Sequence, residues 1–424
     1  MGLLMATGRE ERRVKGLRRA LLVVACSALG GHGSVPAVAG QLPSDSHETA
    51  QDPDHVKLGR TGGWHRSASF PHVLGAIART GCSQVLVQTE PGHLVVLDAF
   101  RPGVTRNMPA PAGLSGLVAA PFEDGPLIAT TGDGHLIFLD GRSGVPSSTM
   151  EASRASFSSD GSLVLVGRED GAILLLETAT RRILRQFERH DWRWFGFAPG
   201  DRLVVILTTD TPLTRKVNLH DLTSGREVGT WSGVRGWSGP TFARDGLAAL
   251  FPMQDRSVVL WTPGDRQTRH VWTHAGTVQS VAFSADARRV LTGSWDRTVV
   301  ARTVESGETT WSRTFEDLVA SAVFDETGNF VLVQTVALNA TLLEAGQGRP
   351  LRSWNGTIQA RFLPGGHEAL LQGQDGIWRA FDLETGVVQL EWPEAQVLSI
   401  QPDGSFVLAW TPDGSASILV RDRD

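Results

Sequence analysis

Short apolar runs separated by turn-forming clusters recur along the chain from about residue 64. One stretch shows the unit most fully: Leu163-Val-Leu-Val166, then Glu169-Asp170-Gly171, then Ile173-Leu-Leu-Leu176. Apolar runs this short, hinged on Asp-Gly, predict β-hairpins, because the turn needs positive φ where glycine and aspartate are tolerated. The hinge returns at Asp133-Gly134, Asp375-Gly376 and Asp413-Gly414, with Asp255-Arg256 and Asp296-Arg297 as variants. Each unit opens on an apolar anchor before a turn, as in Phe157-Ser-Ser-Asp-Gly161. The anchors are Ile77, Phe122, Phe157, Phe197, Phe242, Phe283, Phe324, Phe362 and Ile400. Their spacings run from 35 to 45 residues and average 40.4. A repeat of that length outranks any local propensity as evidence of fold.

A further turn, such as Leu222-Thr-Ser-Gly225, Val304-Glu-Ser-Gly307 or Leu383-Glu-Thr-Gly386, leads into a last strand ending near Trp231, Trp311 or Trp392. Four strands per copy follow. No stretch after the first forty residues keeps a helical period, so the chain is expected to be all-β. A four-stranded unit of this length buries its faces only by stacking on its neighbours, which predicts a β-propeller. Nine copies give nine blades, with eight as the alternative if the irregular stretch Thr208 to Arg215 is an insertion within one blade. The ninth copy stops three strands in. A strand from the other end of the chain, around Val56 to Trp64, is the expected donor, since pairing it removes an exposed edge.

The sixth copy, from Val278 through Phe283, Trp295 and Asp296 to Val300, resembles a WD40 repeat. His274 stands for that family's glycine-histidine and Asp296 for its turn aspartate; the copy from Ala155 to Thr178 is similar. The family's strand-end tryptophan is present only as Trp261, and is replaced by Arg302 in the sixth copy and Phe381 in the eighth. The resemblance implies a protein-interaction scaffold.

Charge and the first residues add a compartment. Arg9, Arg12, Arg13, Lys15, Arg18 and Arg19 precede the apolar run Ala20 to Leu29, ten residues long and too short to span a bilayer as a helix. With Ala37-Val-Ala39 following, residues 1–39 read as a signal peptide cleaved before Gly40, giving a periplasmic or extracellular protein. A lipid anchor at Cys26, in Val23-Val-Ala-Cys26, is the second reading. Residues 40–63 read as an acidic spacer with the closing strand, and 64–424 as the propeller. The full chain carries a net charge of −5, and removal of 1–39 leaves 34 basic and 43 acidic side chains. Such a surface has no basic field for nucleic acid. No transmembrane span is expected in the mature chain, which is expected to be a monomer.

Catalytic chemistry has little purchase here. No Gly-x-Ser-x-Gly, His-Glu-x-x-His or phosphate-binding Gly-Lys-Ser/Thr sequence occurs, and Cys26 and Cys82 are too few for a cysteine-ligated metal. His270 and His274 are four apart, but in an extended segment that separates them by roughly 13 Å, so no metal, cofactor or catalytic residue is assigned. The turn aspartates are expected to bond their own turns, and Trp231, Trp272, Trp311, Trp354 and Trp392 to pack between blades. Two function classes remain: a non-catalytic secreted scaffold for a protein or glycan partner, which is preferred, and a channel-based enzyme or cofactor protein of quinoprotein or lactonase type. The scaffold's candidate face comprises Trp192, Arg193, Arg235, Trp237, Trp295 and Arg297, since tryptophan and arginine dominate binding hot spots. At Trp192 and Trp237 the competing expectation is gap-filling between blades.

Overall fold

The computed structural model describes residues 64–70, 75–79, 82–187, 191–211, 214–235, 240–263, 268–392, 396–400, 405–410 and 415–421. The expected signal peptide, its cleavage site and the spacer lie outside these residues, as does Trp237. The described residues are all-β and form nine four-stranded antiparallel sheets, numbered here 1 to 9 in chain order. Sheet 1 begins at Gly75 and sheet 9 at Gln396. Sheet 3 is representative, with strands Arg154–Phe157, Leu163–Gly167, Ile173–Glu177 and Ile183–Phe187. Among the described residues, a single 3-10 turn, Pro199–Asp201, is the one helical element.

Within a sheet, burial follows the apolar pattern. Val164, Leu165, Val166, Ile173 and Leu174 are all buried, so the second and third strands are covered on both faces and read as continuous apolar runs. Fourth strands are half-covered; Ile183 and Val271 there remain exposed. The chain forms two compact units, one of 198–222 with 226–362 and the other, within the described residues, of 64–197 with 223–225 and 363–421. In the second, Ile128, Leu136 and Phe138 of sheet 2 pack on Val164, Val166 and Leu176 of sheet 3. Phe406, Leu408 and Ile418 of sheet 9 likewise pack on Val85, Val87 and Leu97 of sheet 1. In the first unit, Leu291 and Val299 of sheet 6 meet Ala322, Val331 and Val333 of sheet 7. Each such buried side chain contributes about 1.5–3 kcal/mol, so the contacts between sheets dominate stability.

The fourth-strand tryptophans lock successive sheets as expected. Trp272 of sheet 5 donates its indole N–H to the Gly307 carbonyl of sheet 6 at 3.0 Å, and Trp311 of sheet 6 donates to Ala345 of sheet 7 at 2.9 Å. Trp231 instead stacks on Phe251 of sheet 5, with ring centroids 4.2 Å apart.

The closing strand and two of the anchors differ from the expectation. The strand completing sheet 9 is Trp64–Phe70, paired antiparallel with Ala416–Arg421, so it starts where the donor was expected to end; 56–63 lie outside the described residues. Phe122 is not a strand anchor. The bond from the Ala120 amide to the Pro126 carbonyl matches those from Ser158 to Leu163 and from Ser284 to Arg289, which makes Ala119 the equivalent of Phe157 and Phe283. By the same bond, from Arg79 to Gln84, Ala78 replaces Ile77. Phe122 sits in the turn, its ring against Gly161 of sheet 3. The expected count of nine holds, since Thr208 to Arg215 is no insertion but the tip of a long hairpin formed by Leu203–Thr211 and Thr214–Asp221.

The turns after first strands abut one another closely. Gly246 has φ +69°, and a Cβ there would lie 1.9 Å from the Pro199 carbonyl oxygen. Strain and clash act together at this position. Gly246→Ala is expected to cost about 2 kcal/mol in a urea melt, against a few tenths for an unstrained exposed glycine.

Candidate binding surface

In a four-stranded meander, the turn between second and third strands and the connection from the fourth strand to the next sheet leave on the same edge. That edge carries the candidate residues that the structure describes. Its aspartates serve the turns themselves: Asp170, Asp255, Asp296 and Asp375 each accept the amide N–H two residues on, at 2.9 to 3.1 Å. The Ser257 hydroxyl and amide hold Asp255 below the usual carboxylate range, although Asp255 is largely open to solvent. Among the described residues, no cluster of histidine, cysteine and acidic side chains could hold a metal ion. His270 lies against Trp272, ring centroids 5.6 Å apart, while His274 is buried and points elsewhere.

Arg235 and Trp295 are brought together. Sheet 4 has unusually long strands, and its fourth, Glu227–Arg235, extends far enough to bridge to sheet 5 at Val234 and Met253. Asp210 fixes this extension by accepting the Gly233 amide at 2.7 Å. The Arg235 guanidinium then sits 6.0 Å from the Trp295 ring centroid, in the range of a cation–π contact. Arg297, one turn position beyond Asp296, is exposed with φ 73°. Arg256 holds the same turn position in sheet 5, with the same φ, and donates to the Ala275 carbonyl at 3.0 Å. Arg256 was missed as a site residue, although the shared Asp-Arg turn was its signal. A non-glycine residue at positive φ costs about 1 kcal/mol or more, and both turns hold an exposed arginine there.

Trp192 and Arg193 belong to the other unit, on the first strand of sheet 4, Trp192–Phe197. Trp192 fills the position that Val278 and Val319 occupy in sheets 6 and 7. Its ring meets Phe195 edge-on at 5.0 Å and covers Gly167 of sheet 3, as the gap-filling expectation held. The equivalent residue in sheet 2 is Leu114, five before the anchor Ala119. Arg193 is exposed and lies 3.6 Å from Asp191. Cys82 is half-buried, and burial pushes its thiol pKa upward, which leaves it a poor nucleophile.

Under the Trp295 turn lies a buried polar chain. His274 bonds Asp296 through Nδ1 at 2.9 Å and Thr292 through Nε2 at 2.8 Å, and Arg302 donates to the Thr292 hydroxyl at 3.0 Å. The guanidinium thus enters the network at the place of the missing tryptophan and also lies 5.3 Å from the Trp272 ring. Burial opposes ionisation of Asp296, but the Thr298 hydroxyl and amide together with His274 outweigh it and hold the carboxyl at about 2. The turn that carries Trp295 and Arg297 is therefore anchored from below.

A family model described as WD domain, G-beta repeat matches residues 266–300, which contain His274, Thr292 and Asp296 of this network but not Arg302. No curated protein matches the chain by sequence. Among solved structures, one described as the crystal structure of the eukaryotic initiation factor superposes with a TM-score of 0.61 at 11% identity. The match covers 76% of this chain and 88% of that one, and it concerns the fold alone.

Proposed function

From the premise that this chain is a WD40-type β-propeller, we propose that it is an exported, non-catalytic scaffold that holds a protein partner on the edge bearing Arg235, Arg256, Trp295 and Arg297. The observation that carries the reading is the Arg235–Trp295 cation–π contact, together with two arginines set at positive φ in equivalent turns. Such groups combine contact area with directional donors and lose little side-chain freedom on binding. Export is supported by the basic segment and the ten-residue apolar run before Ala37-Val-Ala39. No helix among the described residues is long and apolar enough to cross a membrane.

Proximity labelling in the native host with the wild type and with the Arg235→Ala/Arg297→Ala variant tests the reading. The variant is expected to keep its melting temperature within about 2 °C while labelling of its principal protein partner falls about tenfold, equal to roughly 1.4 kcal/mol. An unchanged set of labelled proteins refutes this face.

A further inference from the structure

The repeat is broken most sharply where sheets 3 and 4 meet. Three residues before the anchor, sheets 6 and 7 carry Ser280 and Ser321, and Ser280 exchanges bonds of 3.0 Å with the backbone of Ala322 in the next sheet. Sheets 3 and 4 carry Arg154 and Trp194 at that position instead. Five before the anchor, Trp192 stands where valine stands in sheets 6 and 7. All three are half-buried and converge: the Arg154 guanidinium lies 5.9 Å from the Trp194 ring and 6.0 Å from the Phe195 ring, and Phe195 in turn packs on Trp192.

The donors of this cluster are unspent. The Arg154 side chain makes no hydrogen bond or ion pair among the described residues, and its buried Nε has no acceptor. The buried indole N–H of Trp192 has none either. Burial lowers the Arg154 pKa, with no carboxylate to oppose it. Orphaned buried donors are rare in folded proteins and ask for an acceptor. The carboxylates of neighbouring turns do not supply one. Asp170 lies 3.8 Å from Arg168, Asp191 lies 3.6 Å from Arg193, and Glu169 is turned toward Gly134 of sheet 2.

We propose that Arg154, Trp192 and Trp194 form a carboxylate-binding site that takes a glutamate or aspartate side chain from an extended segment of the partner protein. The guanidinium presents a planar fork matched to a carboxylate, the indole N–H groups add neutral donors, and the aromatic planes cover the apolar stem of the guest side chain. This deepens the scaffold reading by naming what the partner presents, and it rests on that reading for the source of the carboxylate.

The test uses the purified protein and a defined probe, the peptide acetyl-Gly-Glu-Gly-amide, followed by the indole ¹H–¹⁵N signals assigned through Trp192→Phe and Trp194→Phe. Saturable shifts of both indoles are expected, with the glutamine analogue at least tenfold weaker, Arg154→Lys about tenfold weaker and folded Arg154→Met without binding. If Arg154→Met does not fold, Arg154→Lys carries the comparison. Shifts that are absent, or that survive unchanged in the Arg154 variant, overturn the site. Acetate binding as tightly as the peptide overturns the peptide source in favour of a free small carboxylate. Because Arg235→Ala/Arg297→Ala leaves this cluster intact, loss of peptide binding with partner labelling retained separates failure of this site from failure of the scaffold reading.

Discussion

A chain beginning at Pro71 is expected to melt about 10 °C below one beginning at Trp64, and to aggregate. Trp64–Phe70 pairs with Ala416–Arg421 over six register positions, from Trp64 opposite Arg421 to Phe70 opposite Ala416. Each lost backbone hydrogen bond contributes about 1 kcal/mol net, so the strand as a whole is worth roughly 5 kcal/mol. For a chain of this size 1 kcal/mol moves the melting temperature by about 2 °C, which gives the expected shift. The uncovered neighbour makes matters worse. Ile418, Leu419 and Val420 are buried and line the cores shared with sheets 1 and 8, so an unpaired edge at 416–421 is both apolar and ready to accept a foreign strand. Differential scanning calorimetry with light scattering reads both effects. Equal melting temperatures for the two chains sink the claim that this strand holds sheet 9 together.

The repeat was legible because its physical cause is local. Short apolar strands and the turns between them appear in the sequence as they do in space, and counting the anchors before the first turns yields nine sheets. Where one residue type serves two purposes, the reading slipped. Phe122 looked like an anchor because it is a phenylalanine before a turn, yet it is 42% exposed and packs across to Gly161, while the strand itself ends in the small Ala119. The closing strand was inferred from the need for a fourth strand, since His65-Arg-Ser-Ala-Ser69 has no apolar alternation to mark it. Its position was accordingly displaced by several residues.

The site was less legible than the fold, for a reason of geometry. Arg235 and Trp295 are sixty residues apart in sequence, and their meeting depends on the extra length of sheet 4, which periodicity does not reveal. Arg154 and Trp194 stand out only once equivalent positions are aligned by their backbone bonds, because each is ordinary in its own strand. By contrast the turn aspartates were assigned correctly to their turns, since a carboxylate two residues before a free amide is a local arrangement.

The second large effect concerns the buried chain beneath the Trp295 turn, and its members are expected to differ sharply. His274→Ala should cost about 3 kcal/mol, because it empties a buried position and removes partners from both Asp296 and Thr292. Arg302→Met should change stability by less than about 1 kcal/mol. In the neutral imidazole, Nδ1 donates to Asp296 and Nε2 accepts from Thr292, so the Thr292 hydroxyl is already engaged and the guanidinium is an addition that carries its own desolvation penalty. Replacing a buried ion with an apolar side chain of similar volume is often neutral or stabilising. The pH dependence follows from Asp296, whose carboxyl is held at about 2, below its usual 3.8. A depressed carboxylate contributes stability that is fully present above pH 3.8 and is lost as pH falls toward 2. Urea melts of the wild type should therefore weaken across that window, and those of Asp296→Asn should weaken less while starting from lower stability at pH 7. If Arg302→Met proves as damaging as His274→Ala, the guanidinium has taken over the structural role of the missing tryptophan, and the histidine and aspartate are its supports.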